Sequence, residues 1–122
     1  IQDPQVALLL AGALEYNGEH ENALSLLESC EEDISSSPDM LNLKGTALCG
    51  LERYEEALDC FEQALPLSQE GTALHKSILF NRIAAVENLR DFARAKELAA
   101  EYMEKYPDDE RMQRENKFLE SR

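Results

Sequence analysis

The chain has 122 residues, which is enough for one domain with a continuous core. Its formal net charge of −13 argues against binding to DNA or RNA and to anionic membrane surfaces, because both need a basic face. No apolar run approaches the roughly 20 residues of a membrane-spanning helix. The three cysteines are odd in number and form no CxxC pair, which favours apolar packing in a reducing compartment. We therefore predict a cytoplasmic protein that uses no cofactor and no metal. The first residue is not Met, and we expect the chain to be a piece of a longer protein.

The first predicted elements are two short helices. Asp3 and Pro4 form a cap followed by proline at the first helical position, so a helix is expected from about Gln5 to Tyr16. Gly18 ends it, because glycine readily adopts the left-handed conformation found after helices. A second helix is expected over about 20–33, and we place its His20, like His75 further on, at the surface or in a turn.

The segment 38–67 carries the strongest pattern of the chain. It predicts two amphipathic helices joined by a tight turn, with apolar residues at the i, i+3, i+4, i+7 spacing of a helix. Small residues at Gly45, Ala57 and Ala64 are informative, because helix backbones pack closely only where side chains are small. The two apolar faces contain Leu41, Lys44, Gly45 and Leu48 in the first helix, and Tyr54, Ala57, Leu58, Phe61, Ala64 and Leu65 in the second.

These positions resemble the tetratricopeptide repeat (TPR), a 34-residue helix-turn-helix unit. The family's small residue matches Gly45, its large aromatic residue Tyr54, its alanines Ala57 and Ala64, and its second aromatic residue Phe61. The resemblance implies an all-α fold, a right-handed α-solenoid of three TPR helix-turn-helix repeats plus a C-terminal capping helix. The expected repeats are about 4–37, 38–71 and 76–109, and the capping helix is about 108–121.

The third repeat departs from the pattern. Its alanine, Ala95, lies 38 residues after Ala57, whereas Ala57 lies 34 residues after Ala23. The four added residues make about one helical turn, so we place them at the start of a helix over 72–89. Ile83 stands where the family has a small residue, and the usual large-then-small order of the next helix (92–105) is reversed at Ala99 and Tyr102. The apolar face of the last helix is predicted to contain Met112, Phe118 and Leu119.

The resemblance also implies that the first helix of each repeat lines a concave groove for a peptide or protein segment. The apolar members of that groove would bury side chains of the partner, unless the leucines pack against neighbouring helices instead. The amides of Asn42 and Asn81 could bind the main chain of an extended peptide. The projected groove positions are Leu8, Leu9, Gly12, Glu15 and Tyr16, with Gln5, in the first repeat; Asn42, Leu43 and Thr46, with Asp39 and Cys49, in the second; and Phe80, Asn81, Ala84, Glu87 and Asn88, with Ser77, in the third.

One TPR subclass holds the carboxylate tail of a chaperone with a Lys, Asn, Asn, Lys, Arg clamp. The corresponding positions here are Leu8, Gly12, Leu43, Ser77 and Asn81, so we expect no chaperone carboxylate-tail binding. The acidic chain instead favours an apolar, neutral or basic segment as partner.

The function predicted from these residues is a protein-protein interaction module with a scaffold or adaptor role. No catalytic motif is present, and the acidic runs are typical of solvated helix faces and helix starts, so an enzyme is not expected. The alternatives are a structural self-assembly module, in which the solenoid stacks on a copy of itself, and a regulatory domain of a larger enzyme. An exposed Phe80 would favour the adaptor, and an apolar outer face on the last helix would favour stacking. The expected state is a monomer or a weak homodimer.

Overall fold

The computed structural model describes residues 3–122, and this part of the chain contains α-helices and no β-strand. The all-α prediction is confirmed. Consecutive helices pack as pairs, each pair packs against the next, and the last helix packs on the one before it, which is the arrangement of an α-solenoid. The helices are α1 (Pro4–Tyr16), α2 (His20–Glu28), α3 (Glu31–Ile34), α4 (Pro38–Gly50), α5 (Tyr54–Ala64), α6 (Ala73–Asn88), α7 (Phe92–Lys105) and α8 (Glu110–Glu120), and a 3-10 turn covers Leu65–Leu67.

Polar side chains begin five of these helices. Asp3, Ser37, Thr72, Asp91 and Asp109 each accept a hydrogen bond from a backbone N–H two or three residues further on. Each bond pairs a donor that has no partner within the helix. Helix α6 has 16 residues, against 13 in α1 and α4, so the third repeat has the longest first helix.

The turn inside each helix pair has the same backbone geometry. Gly18, Glu52 and Arg90 occupy equivalent positions of the three repeats, and their φ angles are 77°, 61° and 67°. Only the first is glycine, the residue that adopts this left-handed conformation without steric cost. The other two side chains accept it because the packed helices on either side fix the turn.

The core lies along the crossings between paired helices. At the crossing of α4 and α5, a Cβ on Gly45 would overlap the ring of Phe61, which is fully buried. This close approach is what the small residue at that position permits. The equivalent pairs are Ala11 with Leu27 in the first repeat and Ile83 with Ala99 in the third, and all four of these side chains are buried.

The prediction of a second helix over 20–33 is wrong about where that helix ends. Helix α2 stops at Glu28, and α3 follows as a separate short helix. The Ser29 hydroxyl donates to the backbone carbonyl of Leu26, and the Ser29 N–H is shared among the carbonyl oxygens of the last turn. A serine side chain that competes for backbone acceptors in this way ends a helix.

The expectations for His75 and Phe118 are also wrong. His75 lies in the core, where its Nδ1 is 2.7 Å from the Ser68 hydroxyl oxygen, so it is not a surface residue. His20 is half-buried at the start of α2, with 31% of its side chain exposed, so its expected place at the surface or in a turn is met in part. In α8, Met112 and Leu119 are buried, but Phe118 is 43% exposed, because it lies about 100° around the helix from Leu119.

Within residues 3–122, no helix is both long and apolar enough to cross a membrane.

Candidate peptide-binding groove

Helices α1, α4 and α6 lie side by side, and at their centre two amides meet. The Asn81 side-chain N–H donates to the Asn42 Oδ1 at 3.0 Å, which links α6 to α4. The Thr46 hydroxyl donates to the Asn42 backbone carbonyl at 2.9 Å. An asparagine amide has two donors and an acceptor with two lone pairs, so this bond leaves hydrogen-bonding capacity on both side chains.

The three leucines among the predicted groove positions differ in exposure. Leu8 and Leu43 are half-buried and pack against the core, as the alternative reading of these residues expected. Leu9 is 75% exposed. Only Leu9, at the edge of α1, therefore offers a largely free apolar side chain.

Phe80 is half-buried, so the structure does not show the fully exposed ring that would favour the adaptor. Its ring packs against the core, and the guanidinium of Arg111 lies 3.5 Å from the ring centroid. The arginine comes from α8, and the contact is a cation–π pair. A partner that uses the Phe80 ring must displace or slide past this cation.

Helix α8 thus forms a fourth wall beside α6, which the sequence did not predict. Positions 111, 115 and 118 of α8, with Arg122 just after its end, follow the spacing of one helix face. Phe118 and Arg122 line an open cavity of about 300 Å³ together with Glu87 and Asn88 of α6. The Arg122 guanidinium lies 4.0 Å from the centroid of the Phe118 ring. The arginine and phenylalanine spacing of the last helix is the sequence signal of this wall, whereas the TPR resemblance assigns this helix only a capping role.

Glu87 has an unusual electrostatic environment at this end of the groove. Its Oε1 atom is buried and has no hydrogen-bond donor within residues 3–122. Burial raises the pKa of Glu87 to about 8, assisted by a hydrogen bond with Glu115 and by the charge of that residue, while Arg122 opposes the shift. Two carboxyl groups in contact share a proton more easily than they both ionise.

Glu15, the other carboxylate of the predicted groove, has a different neighbour. Its Oε2 lies 2.8 Å from His20 Nδ1, and its side chain is only 8% exposed. This carboxylate is therefore engaged within the chain rather than free for a basic partner. Burial, followed by the charges of Cys60 and Glu15, raises the pKa of the neighbouring Cys49 to about 11, so its thiol stays protonated at neutral pH.

The remaining groove positions lie at the surface to different degrees. A Cβ added to Gly12 would meet no atom within 4 Å, so the surface there is open. The Asn88 side-chain N–H is bound to the Ala84 carbonyl at 2.8 Å. None of the predicted groove residues is fully buried: Leu8, Gly12, Glu15, Asn42, Leu43, Thr46, Cys49, Ser77, Phe80, Asn81, Ala84 and Glu87 are half-buried, and Gln5, Leu9, Tyr16, Asp39 and Asn88 are exposed.

Helix pairs with small residues at their crossings, stacked around a groove, define a TPR domain, and comparison with known proteins agrees. The chain belongs to the family described as anaphase-promoting complex, cyclosome, subunit 3, whose sequence model matches residues 1–64. No curated protein sequence matches the chain. Among solved structures, it is similar to the second TPR domain of the human RPAP3 protein, determined by NMR in complex with the HSP70 peptide SGPTIEEVD. That similarity has a TM-score of 0.78 at 16% identity and covers 97% of this chain and 98% of that one.

Proposed function

We propose that the chain is a cytoplasmic protein-interaction module, with a scaffold or adaptor role, that binds an extended peptide segment along α1, α4, α6 and α8. The observation that carries the proposal is the Asn42–Asn81 amide pair between apolar side chains, with hydrogen-bonding capacity left on both amides. A peptide main chain needs such donors and acceptors, and apolar neighbours exclude water from the bonds. The RPAP3 domain, which shares the fold, was determined with a bound peptide, and this supports the same mode here.

The partner we propose is an apolar segment that is neutral or basic. Leu8, Gly12 and Leu43 offer no cation for a terminal carboxylate, so an acidic tail such as the end of SGPTIEEVD lacks its ligands at these positions. The net charge of −13 attracts a basic segment over a distance and repels an acidic one. Because Glu15 is already paired with His20 and Glu87 is largely protonated at neutral pH, the groove carboxylate open to a basic side chain is the exposed Asp39.

The test is fluorescence anisotropy with labelled peptides that share one apolar sequence and carry Lys, Ser or Glu at the flanks. We expect the affinity to fall in the order Lys, Ser, Glu at low salt, and the differences to shrink as salt screens the charges. Mapping the bound peptide by NMR chemical shifts should place it on α4 and α6. An acidic peptide that binds most tightly would contradict the proposed partner chemistry.

The variant that tests the groove is Phe80→Ala combined with Asn42→Ala. We expect it to weaken peptide binding at least about tenfold, which corresponds to about 1.4 kcal/mol. Leu67→Ala is the matched control, since Leu67 is also apolar and partly exposed but lies in the 3-10 turn outside the groove. Circular dichroism should show equal helicity in both variants. Unchanged binding in the folded double variant would rule out this groove.

A further inference from the structure

The turns between paired helices, at 17–19, 51–53 and 89–91, follow one another along one edge of the stack, which we call the turn edge. An open cavity lies beside each turn, where the start of the second helix of a pair meets the end of the next helix along the stack. In repeat order, the three cavities have volumes of about 340, 320 and 300 Å³. The turn edge therefore carries a row of three similar cavities, one for each repeat.

The same kinds of side chain line each cavity. The first residue of the second helix supplies a ring, which is His20, Tyr54 or Phe92. The next helix, or the residue that caps it, supplies a bulky apolar side chain, which is Leu51, Leu89 or Phe118. All six side chains are at least partly exposed. Each cavity thus offers apolar contact to one apolar side chain of a partner.

Helix packing sets the spacing of the row. Helices α1, α4 and α6 lie side by side, and neighbouring helix axes are about 8–10 Å apart, so we expect the cavities at about this interval. A polyproline II helix has about three residues per turn and rises about 3.1 Å per residue, so every third side chain recurs on one face after about 9 Å. The two-residue interval of a β-strand is only about 7 Å. The row therefore fits a segment in the polyproline II conformation.

The first two cavities are bordered by carboxylates. Glu19 and Glu21 lie at the first cavity, and Glu52 and Glu55 at the second, and all four are exposed. Within residues 3–122, none of these four carboxylates forms an ion pair. Arg53 at the second cavity is paired with Glu56 and leaves the other carboxylates free. These two cavities therefore attract a basic segment.

The third cavity has the opposite charge. Arg90 and Arg122 line it, and its Glu87 is largely protonated at neutral pH. The guanidinium of Arg90 lies 5.2 Å from the centroid of the Phe92 ring, which leaves its N–H groups available to an acceptor. The whole sequence has the same asymmetry, since residues 1–75 contain two basic and 15 acidic residues, whereas residues 76–122 contain ten of each. Charge along the turn edge therefore changes sign between the second and third repeats.

We propose that the turn edge binds a proline-rich segment of a partner protein in the polyproline II conformation. An apolar side chain at every third position enters one cavity, basic side chains lie beside the carboxylates of the first two repeats, and an acidic side chain pairs with Arg90. Of the proposed groove residues, Glu87 and Asn88 also border the third cavity. The turn edge is otherwise a second binding surface, so this proposal does not depend on the groove.

The test uses fluorescence anisotropy with a labelled proline-rich peptide. The peptide carries leucine at every third position, lysine beside the first two leucines, glutamate beside the third and proline elsewhere. Because charge fixes the order of the contacts but not the direction of the peptide chain, the peptide with the reverse sequence is measured as well. We expect one of the two to bind with a dissociation constant of about 10–500 μM. If neither peptide binds in this range, the proposal is overturned.

Two control peptides test the spacing and the charge. Moving the leucines to every second position should weaken binding at least about tenfold, because they then no longer share one face of the polyproline II helix. Replacing the lysines by glutamates should weaken binding by a similar factor at low salt, and added salt should reduce the difference. Equal affinity for the two leucine spacings, or for the lysine and glutamate versions, overturns the proposal.

A substitution at Leu89 tests the apolar lining of the second cavity. Leu89→Ser should weaken binding of the proline-rich peptide at least about tenfold. Leu67→Ser is the matched control, because Leu67 is also a partly exposed leucine but lies in the 3-10 turn away from the row. Circular dichroism should show equal helicity in both variants. Equal affinity of the two variants for the peptide contradicts the turn-edge site.

A double charge reversal tests the carboxylates. Glu52→Lys combined with Glu55→Lys should weaken binding of the proline-rich peptide at least about tenfold at low salt. Glu97→Lys combined with Glu104→Lys changes the net charge equally at exposed positions of α7 outside the row, and it should have a much smaller effect. If both double variants weaken binding equally, the overall charge of the chain and not the turn edge attracts the peptide.

The groove variant separates the two binding surfaces. Phe80→Ala combined with Asn42→Ala should leave the affinity for the proline-rich peptide unchanged, and Leu89→Ser should leave the affinity for the groove peptides unchanged, since Leu89 is not a groove residue. If the proline-rich peptide loses affinity in the groove variant and keeps it in Leu89→Ser, it binds in the groove. That result overturns the turn-edge proposal without touching the proposed function.

Discussion

The second and third repeats place large and small side chains differently at the same helix crossing. In the second repeat, Gly45 of α4 meets Phe61 of α5. In the third, the equivalent positions hold Ile83 on α6 and Ala99 on α7, and both are buried. The large side chain belongs to the second helix of the pair in the second repeat and to the first helix in the third repeat. The fold therefore requires that one partner be small at each crossing, and not that a given helix supply it.

The third repeat also has an open cavity between its two helices. A cavity of about 220 Å³ lies between α6 and α7 and is lined by Leu79, Ile83, Leu98 and Tyr102 together with charged residues at its mouth. In the second repeat, by contrast, the ring of Phe61 fills the space beside Gly45.

The largest expected effect on stability comes from adding a side chain at Gly45. Gly45→Ala would push a Cβ into the buried Phe61 ring, and we expect it to lower the free energy of unfolding by about 3 kcal/mol, measured by urea denaturation. Combining it with Phe61→Leu should recover part of that loss. Gly12→Ala in α1 is the matched control, because an added Cβ there meets nothing within 4 Å and should stabilise by about 0.5–1 kcal/mol through helix propensity. Equal effects at the two glycines would contradict the close packing of the second repeat.

A smaller effect is expected where the two repeats differ in filling. Leu41 and Leu79 are equivalent, but Leu41 is buried in the second repeat and Leu79 borders the cavity of the third. Leu41→Phe should destabilise by about 2 kcal/mol through overpacking, whereas Leu79→Phe should be neutral or stabilise by up to about 1 kcal/mol. Thermal unfolding of both variants measures the difference. If Leu79→Phe costs as much as Leu41→Phe, the cavity is not available to a side chain.

The smallest effect concerns two carboxylates that occupy equivalent positions in the first and third repeats. Glu15 lies against His20, and Glu87 lies against Glu115, with Arg122 nearby. Glu87 has its pKa raised from 4.5 to about 8, so its protonated form contributes stability that is fully present below pH 4.5 and lost as the pH rises through 8. Glu87→Gln should therefore leave stability unchanged below pH 4.5 and raise it above pH 8. The gain should be about 1 kcal/mol, because partial exposure screens the interaction.

The measurement is urea denaturation of the Glu87→Gln variant at a series of pH values. Glu97→Gln, at an exposed position of α7, is the control for the loss of one charge. This variant removes one carboxyl group from an exposed position outside the contact between Glu87 and Glu115. If both variants change with pH in the same way, net charge and not the contact between Glu87 and Glu115 causes the effect.

The sequence alone was enough to predict the all-α repeat fold and the class of domain. Apolar periodicity, the small residues of the central repeat and the 34-residue spacing from Ala23 to Ala57 are local features that any stacked helix pair must have. The cap at Asp3 and the glycine at position 18 predicted helix ends for the same reason, since both act through neighbouring backbone groups.

The candidate groove was harder to predict from sequence, because its properties depend on residues far apart in the chain. The pairing of Asn42 with Asn81, the arginine that covers Phe80 and the carboxyl contact of Glu87 each join helices separated by many residues. Exposure is decided in the same way: Leu9 of α1 lies in an apolar run that reads like a core helix in sequence, but its side chain is 75% exposed. Periodicity fixes which side chains share a face of a helix, but only the packing of the helices decides what each face meets.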